Sequence, residues 1–216
     1  MKKGFFITFE GGEGTGKSTQ CRLLSKALED EGLQTVLTRE PGGSAGAEEI
    51  RALLVNGDAG KWDSKTELLL FMAARRNHLT TKIWPEMAEG KVVICDRFLD
   101  STIAYQGYGR GKNQELIHEI KNIYHLIADD FQPDLTFILD IDPEIGLRRS
   151  MERSGNTEQR FESMDFSFHQ NLRSGFLELS QQNNRYVVID ATDSIENIHL
   201  KILSEVKKRM TKEGNQ

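Results

Sequence analysis

The 216-residue chain has little of what marks an exported, membrane-bound or nucleic-acid-binding protein. It has two cysteines and four prolines, and its formal net charge is −5. Two cysteines are too few for a disulfide scaffold, so we expect both in the core of a cytoplasmic protein. The acidic balance argues against a general nucleic-acid binder. No apolar run approaches the roughly 18 residues of a membrane span, and we expect neither a signal peptide nor a membrane partner.

Short apolar runs alternate with stretches of helical period, which is typical of a parallel sheet flanked by helices. We therefore expect one α/β domain over residues 1–216 with a five-stranded parallel sheet. The predicted strands are Phe5–Phe9, Thr35–Thr38, Val92–Cys95, Leu135–Leu139 and Tyr186–Ile189. The predicted helices are Lys17–Asp30, Ala45–Leu54, Thr66–Met87, Gln114–Ala128 and Phe168–Gln182. Asp142 before Pro143, and Asp193 with Glu196, have the spacing of helix N-caps.

A glycine-rich motif follows the first predicted strand and opens a helical pattern. Residues 11–18, GGEGTGKS, fit the phosphate-loop pattern G-x-x-x-x-G-K-[ST]. Glycines let backbone N–H groups turn inward around phosphate oxygens, and the helix N-terminus adds partial positive charge. Lys17 can reach the β- and γ-phosphates, and the Ser18 hydroxyl can ligate Mg²⁺. The predicted ATP-binding residues are Gly11, Gly12, Glu13, Gly14, Thr15, Gly16, Lys17, Ser18 and Thr19.

Asp96 directly follows the apolar run of the third predicted strand, and Arg97 comes next. A carboxylate at the end of an apolar strand is the pattern of the second metal-side element in P-loop enzymes, although Asp is also a common turn residue. That carboxylate can hold Arg97 in position while the guanidinium group binds a second phosphate group. Arg39 lies at the end of the second strand, and Phe71 and Arg75 share one helix face.

Residues 148–162 break the alternating pattern. Arg148, Arg149, Arg153 and Arg160 stand among Ser, Gly, Asn and Glu, with few core candidates. We interpret this segment as an arginine-bearing lid. The alternative is a solvated helix end and loop.

Five stretches together resemble bacterial thymidylate kinase: GGEGTGKS, TREPGG, FMAARR, DRFLDST and AYQGYGRG. The resemblance runs from Phe5 to about Asp193 and implies a P-loop nucleotide kinase fold and a homodimer. It also implies phosphorylation of dTMP to dTDP, in dTTP biosynthesis, with ATP as donor and Mg²⁺ as cofactor.

The resemblance assigns one group of residues to the base of dTMP. Phe71 would stack on the thymine ring, although a core phenylalanine on an amphipathic helix is the alternative. Arg75 would donate to a base carbonyl. Thr102 and Gln106, with Ser101 beside them, would complete the contact with the base edge, because buried hydrogen bonds reject a base with the wrong donor pattern.

A second group would bind the phosphate and sugar of dTMP. Arg39 and Arg97 would bind the phosphate group of dTMP. Glu13 would accept from the 3′-hydroxyl, and Tyr105 would crowd the 2′ position and disfavour ribose.

Some members of the family carry an arginine inside the phosphate loop, and this chain has none there. We therefore expect Arg149 and Arg153 in the lid to join Lys17, Arg97 and Glu13 as catalytic residues, because negative charge spreads over the transferring phosphoryl group. Arg160 remains open as the lid arginine. Ser18 and Asp96 would hold the metal ion.

Other functions are compatible with a phosphate loop. A kinase for dUMP, CMP or a free nucleoside is the nearest alternative. A GTP-dependent switch protein is disfavoured because the sequence has no N-K-x-D motif and would leave Arg39, Arg75 and Arg97 without a role. A non-catalytic P-loop domain is disfavoured by the presence of Lys17, Ser18 and Asp96. The long predicted helix Thr66–Met87 could supply a dimer face, but its periodicity does not distinguish a partner from the core.

Overall fold

The computed structural model describes residues 4–56, 61–152 and 164–213. Within these ranges one sheet of five parallel strands has the order β2-β3-β1-β4-β5. The strands are β1 (Phe5–Glu10), β2 (Thr35–Arg39), β3 (Val92–Asp96), β4 (Leu135–Asp140) and β5 (Tyr186–Asp190). The predicted sheet is confirmed. Each strand extends one residue beyond its predicted end, because the hydrophobic run stops at a charged residue that still belongs to the ladder.

Helices cover both faces of the sheet, which explains why β1 is buried along its whole length. The helices are α1 (Lys17–Asp30), α2 (Ala45–Val55), α3 (Ser64–His78), α4 (Trp84–Ala88), α5 (Leu99–Thr102), α6 (Gln114–Ala128), α7 (Pro143–Met151), α8 (Phe166–Ser180) and α9 (Ile195–Glu213). On one face Ile7 packs with Leu24 and Ile202; on the other Phe6 packs with Met72. The cysteines predicted in the core, Cys21 and Cys95, are both buried.

The predicted helix Thr66–Met87 is present as an unbroken helical run, but it is not α-helical throughout. It begins earlier, at Ser64, because the Asp63 carboxylate accepts from the N–H groups of Lys65 and Thr66 at 3.0 and 3.1 Å. It then passes through a π-helical turn at Leu79–Ile83 before α4. Pro85 lies in the first turn of α4, and a wider turn ahead of it accommodates a residue that lacks a backbone N–H. A second π-helical turn, Ile103–Tyr108, follows α5.

The two predicted N-caps differ in outcome. The Asp142 carboxylate accepts from the N–H of Glu144 at 2.9 Å, with Pro143 as the first helical residue, so this cap is confirmed. The cap predicted at Asp193 is wrong by one residue, because the Ser194 hydroxyl accepts from the N–H of Asn197 at 3.1 Å. Asp193 instead accepts from the N–H of Ser194.

The predicted lid at 148–162 overlaps α7. The helix continues through Arg148 and Arg149 to Met151, so the first four residues of the predicted lid are helical. Arg153 and Arg160 lie outside the described residues.

Substitution Leu24→Ala should destabilise the fold by about 2–5 kcal/mol, the usual cost of truncating a fully buried leucine. Leu24 is 0% exposed between α1 and the sheet. Urea unfolding followed by circular dichroism measures the difference. Leu200→Ala is the control, because Leu200 on α9 is 61% exposed; an equal loss in the two variants would contradict this description of the core.

Candidate active site

A cleft of about 310 Å³ opens at the carboxyl ends of β1, β2 and β3, where open α/β sheets bind their ligands. Most of the side chains predicted from the sequence meet there. The predicted residues that line it are Glu13, Gly16, Lys17, Ser18, Arg39, Phe71, Arg75, Asp96, Arg97, Ser101, Thr102, Tyr105 and Gln106.

The loop between β1 and α1 has the conformation that a phosphate loop requires. Gly14 has a φ of +69°, and a Cβ there would lie 1.9 Å from the carbonyl oxygen of Gly146 on α7. Gly14 therefore allows the loop to pass directly over α7. The Thr15 hydroxyl donates to the Gly12 carbonyl, and the Thr19 N–H donates to the Gly16 carbonyl, both at 3.1 Å.

Lys17, the first residue of α1, is folded back over the loop. Its Nζ donates to the carbonyl oxygens of Gly11 at 3.1 Å and Gly12 at 2.7 Å, and to the Thr15 hydroxyl at 3.2 Å. Burial, and then the nearby Arg97 guanidinium, lower the pKa of Lys17 to about 8. The ammonium group therefore remains protonated at neutral pH, next to the backbone that would wrap a triphosphate.

Ser18 and Asp96 bring two oxygen ligands together. The Ser18 hydroxyl donates to the Asp96 carboxylate, which ends β3. Mg²⁺ prefers oxygen ligands and is usually bound by one or two carboxylates together with phosphate and water. This pair therefore fits a magnesium ion at the mouth of the phosphate loop.

Arg97 connects the phosphate loop to the turn after β3. Its guanidinium donates to the Gly11 carbonyl at 2.9 Å, to the Ser101 hydroxyl at 3.2 Å and to Glu13 at 3.0 Å. It also lies 5.1 Å from the centre of the Tyr105 ring. Its backbone has a φ of +68°, a strained conformation for a residue with a side chain that is characteristic of functional sites.

Glu13 is held as an ionised acceptor. Its carboxylate accepts from Arg97 and from the Tyr105 hydroxyl at 2.6 Å. Burial alone would raise the pKa of Glu13, but Arg97, Lys17 and the Tyr105 hydrogen bond outweigh burial and lower the pKa to about 2. Glu13 can therefore accept a further hydrogen bond from a ligand hydroxyl at any physiological pH.

The opposite end of the cleft is suited to a flat polar ligand. Phe71 is partly exposed on the cleft wall, so it is not the core phenylalanine of the alternative interpretation. One turn further along α3, the Arg75 guanidinium donates to the Thr102 hydroxyl at 2.9 Å. Gln106 donates from Nε2 to Glu67 at 3.2 Å, and its buried Oε1 has no partner in the described part of the chain.

Three residues of the site were missed in the sequence. Arg51, the basic residue of α2, lines the cleft and donates to the Pro41 carbonyl at 2.5 Å. Glu40 also lines it. Glu10, at the end of β1, accepts from the N–H of Phe98 at 2.8 Å, and burial, with Asp100, raises its pKa to about 7. The available signal for Arg51 was a lone arginine in a predicted helix. The signal for Glu10 was a carboxylate at the end of a central apolar strand.

Among the described residues, the predicted ones that do not line the cleft are Gly11, Gly12, Gly14, Thr15, Thr19 and Arg149. Gly11 and Gly12 line a small neighbouring cavity. Arg149 donates to the Ala191 carbonyl at 2.8 Å, in the loop after β5. Arg39 is at the rim, where its side chain is 51% exposed and contacts Glu48 at 3.1 Å.

A family model described as thymidylate kinase matches residues 9–202. This chain belongs to the thymidylate kinase family. The thymidylate kinase of Ruegeria pomeroyi is 48% identical over 196 residues, which cover 90% of each chain. That of Caulobacter vibrioides is 48% identical over 211 residues, covering 97% of this chain and 99% of the other. The resemblance predicted from the five motifs is confirmed.

A solved thymidylate kinase shares the fold. The crystal structure of thymidylate kinase from Ehrlichia chaffeensis has a TM-score of 0.73 and 37% sequence identity, and the match covers 94% of this chain and 99% of that one. The P-loop kinase fold predicted from the sequence is therefore confirmed. Among the described residues of the present chain, none of the helices combines the length and the hydrophobicity of a membrane span.

Substitution Gly14→Ala should weaken ATP binding about tenfold or more. The added Cβ would collide with the Gly146 carbonyl, and a distortion of the loop worth about 1.4 kcal/mol is enough for a tenfold change. Calorimetric titration with a non-hydrolysable ATP analogue measures the affinity. Gly32→Ala is the matched control, because Gly32 also has a positive φ, +84°, but lies outside the phosphate loop, and a Cβ there meets nothing within 4 Å. Equal affinities for the Gly14 variant and wild type would contradict the described loop.

Proposed function

We propose that this chain transfers the γ-phosphoryl group of ATP directly to the phosphate of dTMP. As a member of the thymidylate kinase family, it phosphorylates dTMP with ATP as the donor, a step toward dTTP. One observation carries the proposed mechanism: the phosphate loop and three arginines, Arg39, Arg51 and Arg97, line the same cleft, and Arg97 contacts both the loop and Ser101. The triphosphate and the monophosphate can therefore meet end to end.

ATP is proposed to bind along the phosphate loop. Backbone N–H groups of residues 11–19 would surround its phosphates, aided by the N-terminus of α1. The Lys17 ammonium would exchange its contacts with the Gly11 and Gly12 carbonyls for β- and γ-phosphate oxygens. These carbonyl contacts support the proposal, because they place the ammonium at the loop, and no carboxylate among the described residues is in direct contact with it.

The phosphate of dTMP is proposed to bind among three arginines. Arg39, Arg51 and Arg97 all line the cleft, and guanidinium groups suit a phosphate dianion because they bind two oxygens at once. Arg39 is exposed at the rim, and among the described residues its ion pair is with Glu48 alone, so its side chain can move onto a bound phosphate.

The nucleoside is proposed to bind between α3 and the second π-helical turn. Phe71 would stack on thymine, and Arg75 would donate to a base carbonyl beside Thr102 and Gln106. The 3′-hydroxyl of the sugar would donate to the ionised Glu13. Tyr105, held against Glu13, would occupy the space that a 2′-hydroxyl needs.

The transfer itself needs no covalent intermediate. An oxygen of the dTMP phosphate forms a bond to the γ-phosphorus of ATP, and the bond from that phosphorus to the β,γ-bridging oxygen breaks, so ADP leaves with the electron pair. A general base is unnecessary because the attacking phosphate is already ionised. Ser18 and Asp96 would hold Mg²⁺, which when bound neutralises charge on the β- and γ-phosphate oxygens. Lys17 and a lid arginine would stabilise the remaining charge.

We also propose that the protein is a single kinase domain with a lid near residues 148–162, and that it is a cytoplasmic homodimer. Leu69 on α3 and Leu126 on α6 are 56% and 81% exposed, and the two helices pack together. Large apolar side chains exposed on neighbouring helices support a partner surface there.

Coupled ADP-release assays with dTMP, dUMP, dCMP and thymidine test the proposed substrate. The highest kcat/KM should be with dTMP. Arg97→Lys should lower kcat/KM for dTMP about a hundredfold, because one ammonium cannot replace a fork that reaches Gly11, Ser101 and Glu13. Arg22→Lys on the exposed face of α1 is the control. A wild-type enzyme that leaves dTMP unphosphorylated would refute the proposed function.

Substitution Arg153→Ala should lower kcat about a thousandfold while changing the KM values for ATP and dTMP much less, because a lid arginine acts on charge that develops in the transition state. Steady-state kinetics with each substrate varied measures both parameters. Arg148→Ala on the exposed face of α7 is the control. An unchanged kcat would remove Arg153 from the mechanism, and the same assay on Arg149→Ala and Arg160→Ala would then identify the lid arginine.

A further inference from the structure

Arg75 is fixed by the protein itself. Its side chain is 2% exposed. Nε donates to Glu40 Oε2 at 2.7 Å, and one terminal nitrogen donates to the Thr102 hydroxyl at 2.9 Å. The guanidinium also lies 5.2 Å from the centre of the Phe98 ring. A guanidinium has five N–H donors and no acceptor, so donors remain for a ligand in the cleft.

The Glu40 carboxylate is held on both oxygens. Oε2 accepts from Arg75, and Oε1 lies 3.0 Å from Nδ1 of His78. The side chains of Glu40 and His78 are 4% and 0% exposed. Because a carboxylate paired with an arginine only accepts hydrogen bonds, the hydrogen between Glu40 and His78 belongs to Nδ1 of the ring.

Thr38 fixes the other side of the His78 ring. Its hydroxyl lies 2.7 Å from Nε2. A threonine hydroxyl can donate to a ring nitrogen or accept from one, so this contact holds the ring in either of its protonation states. One chain of hydrogen bonds thus runs from Thr38 through His78, Glu40 and Arg75 to Thr102.

The backbone after β2 is shaped to admit this chain. Gly43 has a φ of +88°, and a Cβ on it would lie 2.4 Å from the Thr38 hydroxyl and 2.5 Å from Nε2 of His78. A residue with a side chain at this position would separate the two groups. The close approach therefore depends on glycine, independently of the contacts that Arg75 makes.

We propose that His78 is a positioning residue that determines base selectivity without touching the substrate. Held by Thr38, it orients the Glu40 carboxylate, which fixes the Arg75 guanidinium as a donor that faces the base. Thymine has a carbonyl acceptor at position 4 where cytosine has an amino donor. A fixed, donor-only group there accepts the first base and repels the second. This inference rests on the proposed binding of dTMP in the cleft.

His78 affects the selectivity because a buried carboxylate with only one of its two oxygens hydrogen-bonded does not keep its orientation. Without His78, Oε1 of Glu40 would lose its partner at a position sealed from water, which is costly. Glu40 would then rotate toward other donors, and Arg75 would lose the contact that sets its plane. Selective sites depend on such supporting hydrogen bonds behind the residues that touch the ligand.

The test compares dTMP with 5-methyl-dCMP, which differs from it at the carbonyl-bearing edge of the base. KM for dTMP and the inhibition constant of 5-methyl-dCMP are measured for wild type, His78→Leu and His78→Asn. His78→Leu should reduce the preference for dTMP about tenfold, the effect of one buried hydrogen-bond partner, with KM for ATP almost unchanged. His78→Asn keeps a donor near the Nδ1 position and should restore most of the preference.

Leu79→Ala is the matched control. Leu79 follows His78 and is 0% exposed, but its side chain takes no part in the chain of hydrogen bonds. The substitution should therefore lower the unfolding temperature and leave the preference for dTMP unchanged. If His78→Leu does not fold, Thr38→Val removes the same chain at its first link and should shift the preference in the same direction. An unchanged preference in the folded variant, or an equal shift in Leu79→Ala, would overturn the inference. Failure of the wild type to phosphorylate dTMP would instead refute the proposed function.

Discussion

The contact of Arg97 with the phosphate loop is the interaction on which the site depends. One guanidinium reaches the Gly11 carbonyl, Glu13 and Ser101, so the segment that would bind the donor and the segment that would bind the acceptor are fixed relative to each other. In-line phosphoryl transfer depends almost wholly on positioning and charge stabilisation. The strained backbone of Arg97 therefore occurs at a residue whose position is important for the transfer.

Three buried carboxylates around the cleft are held by ion pairs or hydrogen bonds. Asp100 accepts from Arg185 and from the Tyr186 hydroxyl, Glu40 accepts from Arg75 and His78, and Glu10 accepts from the backbone at Phe98 and from Ser101 at 2.5 Å. Such pairs contribute little net stability, because removing the charges from water costs about as much as their attraction returns. Their value lies in orientation, and each of these groups holds a segment that lines the cleft.

Apolar runs and one glycine-rich motif were enough to predict the sheet and the phosphate loop, because those features are local in the sequence. Most of the other cleft residues were predicted only through the resemblance to the thymidylate kinase family. The strand ends were one residue short, since Glu10 and Asp96 carry charge into the ladder. Arg51 was missed because no local motif contains it. The link from His78 to Thr38 was missed because 40 positions separate the residues, and only the packing of α3 against β2 brings them together.

The close approach of Gly14 to Gly146 has a mechanical consequence. A methyl group on either residue would meet the other backbone, at 1.9 Å from the Gly146 carbonyl in one case and 2.5 Å from the Glu13 carbonyl in the other. Two main chains in such contact cannot slide past each other. The phosphate loop and the first turn of α7 are therefore in direct backbone contact, so any displacement of the loop that binds a nucleotide must also displace α7 or open this contact.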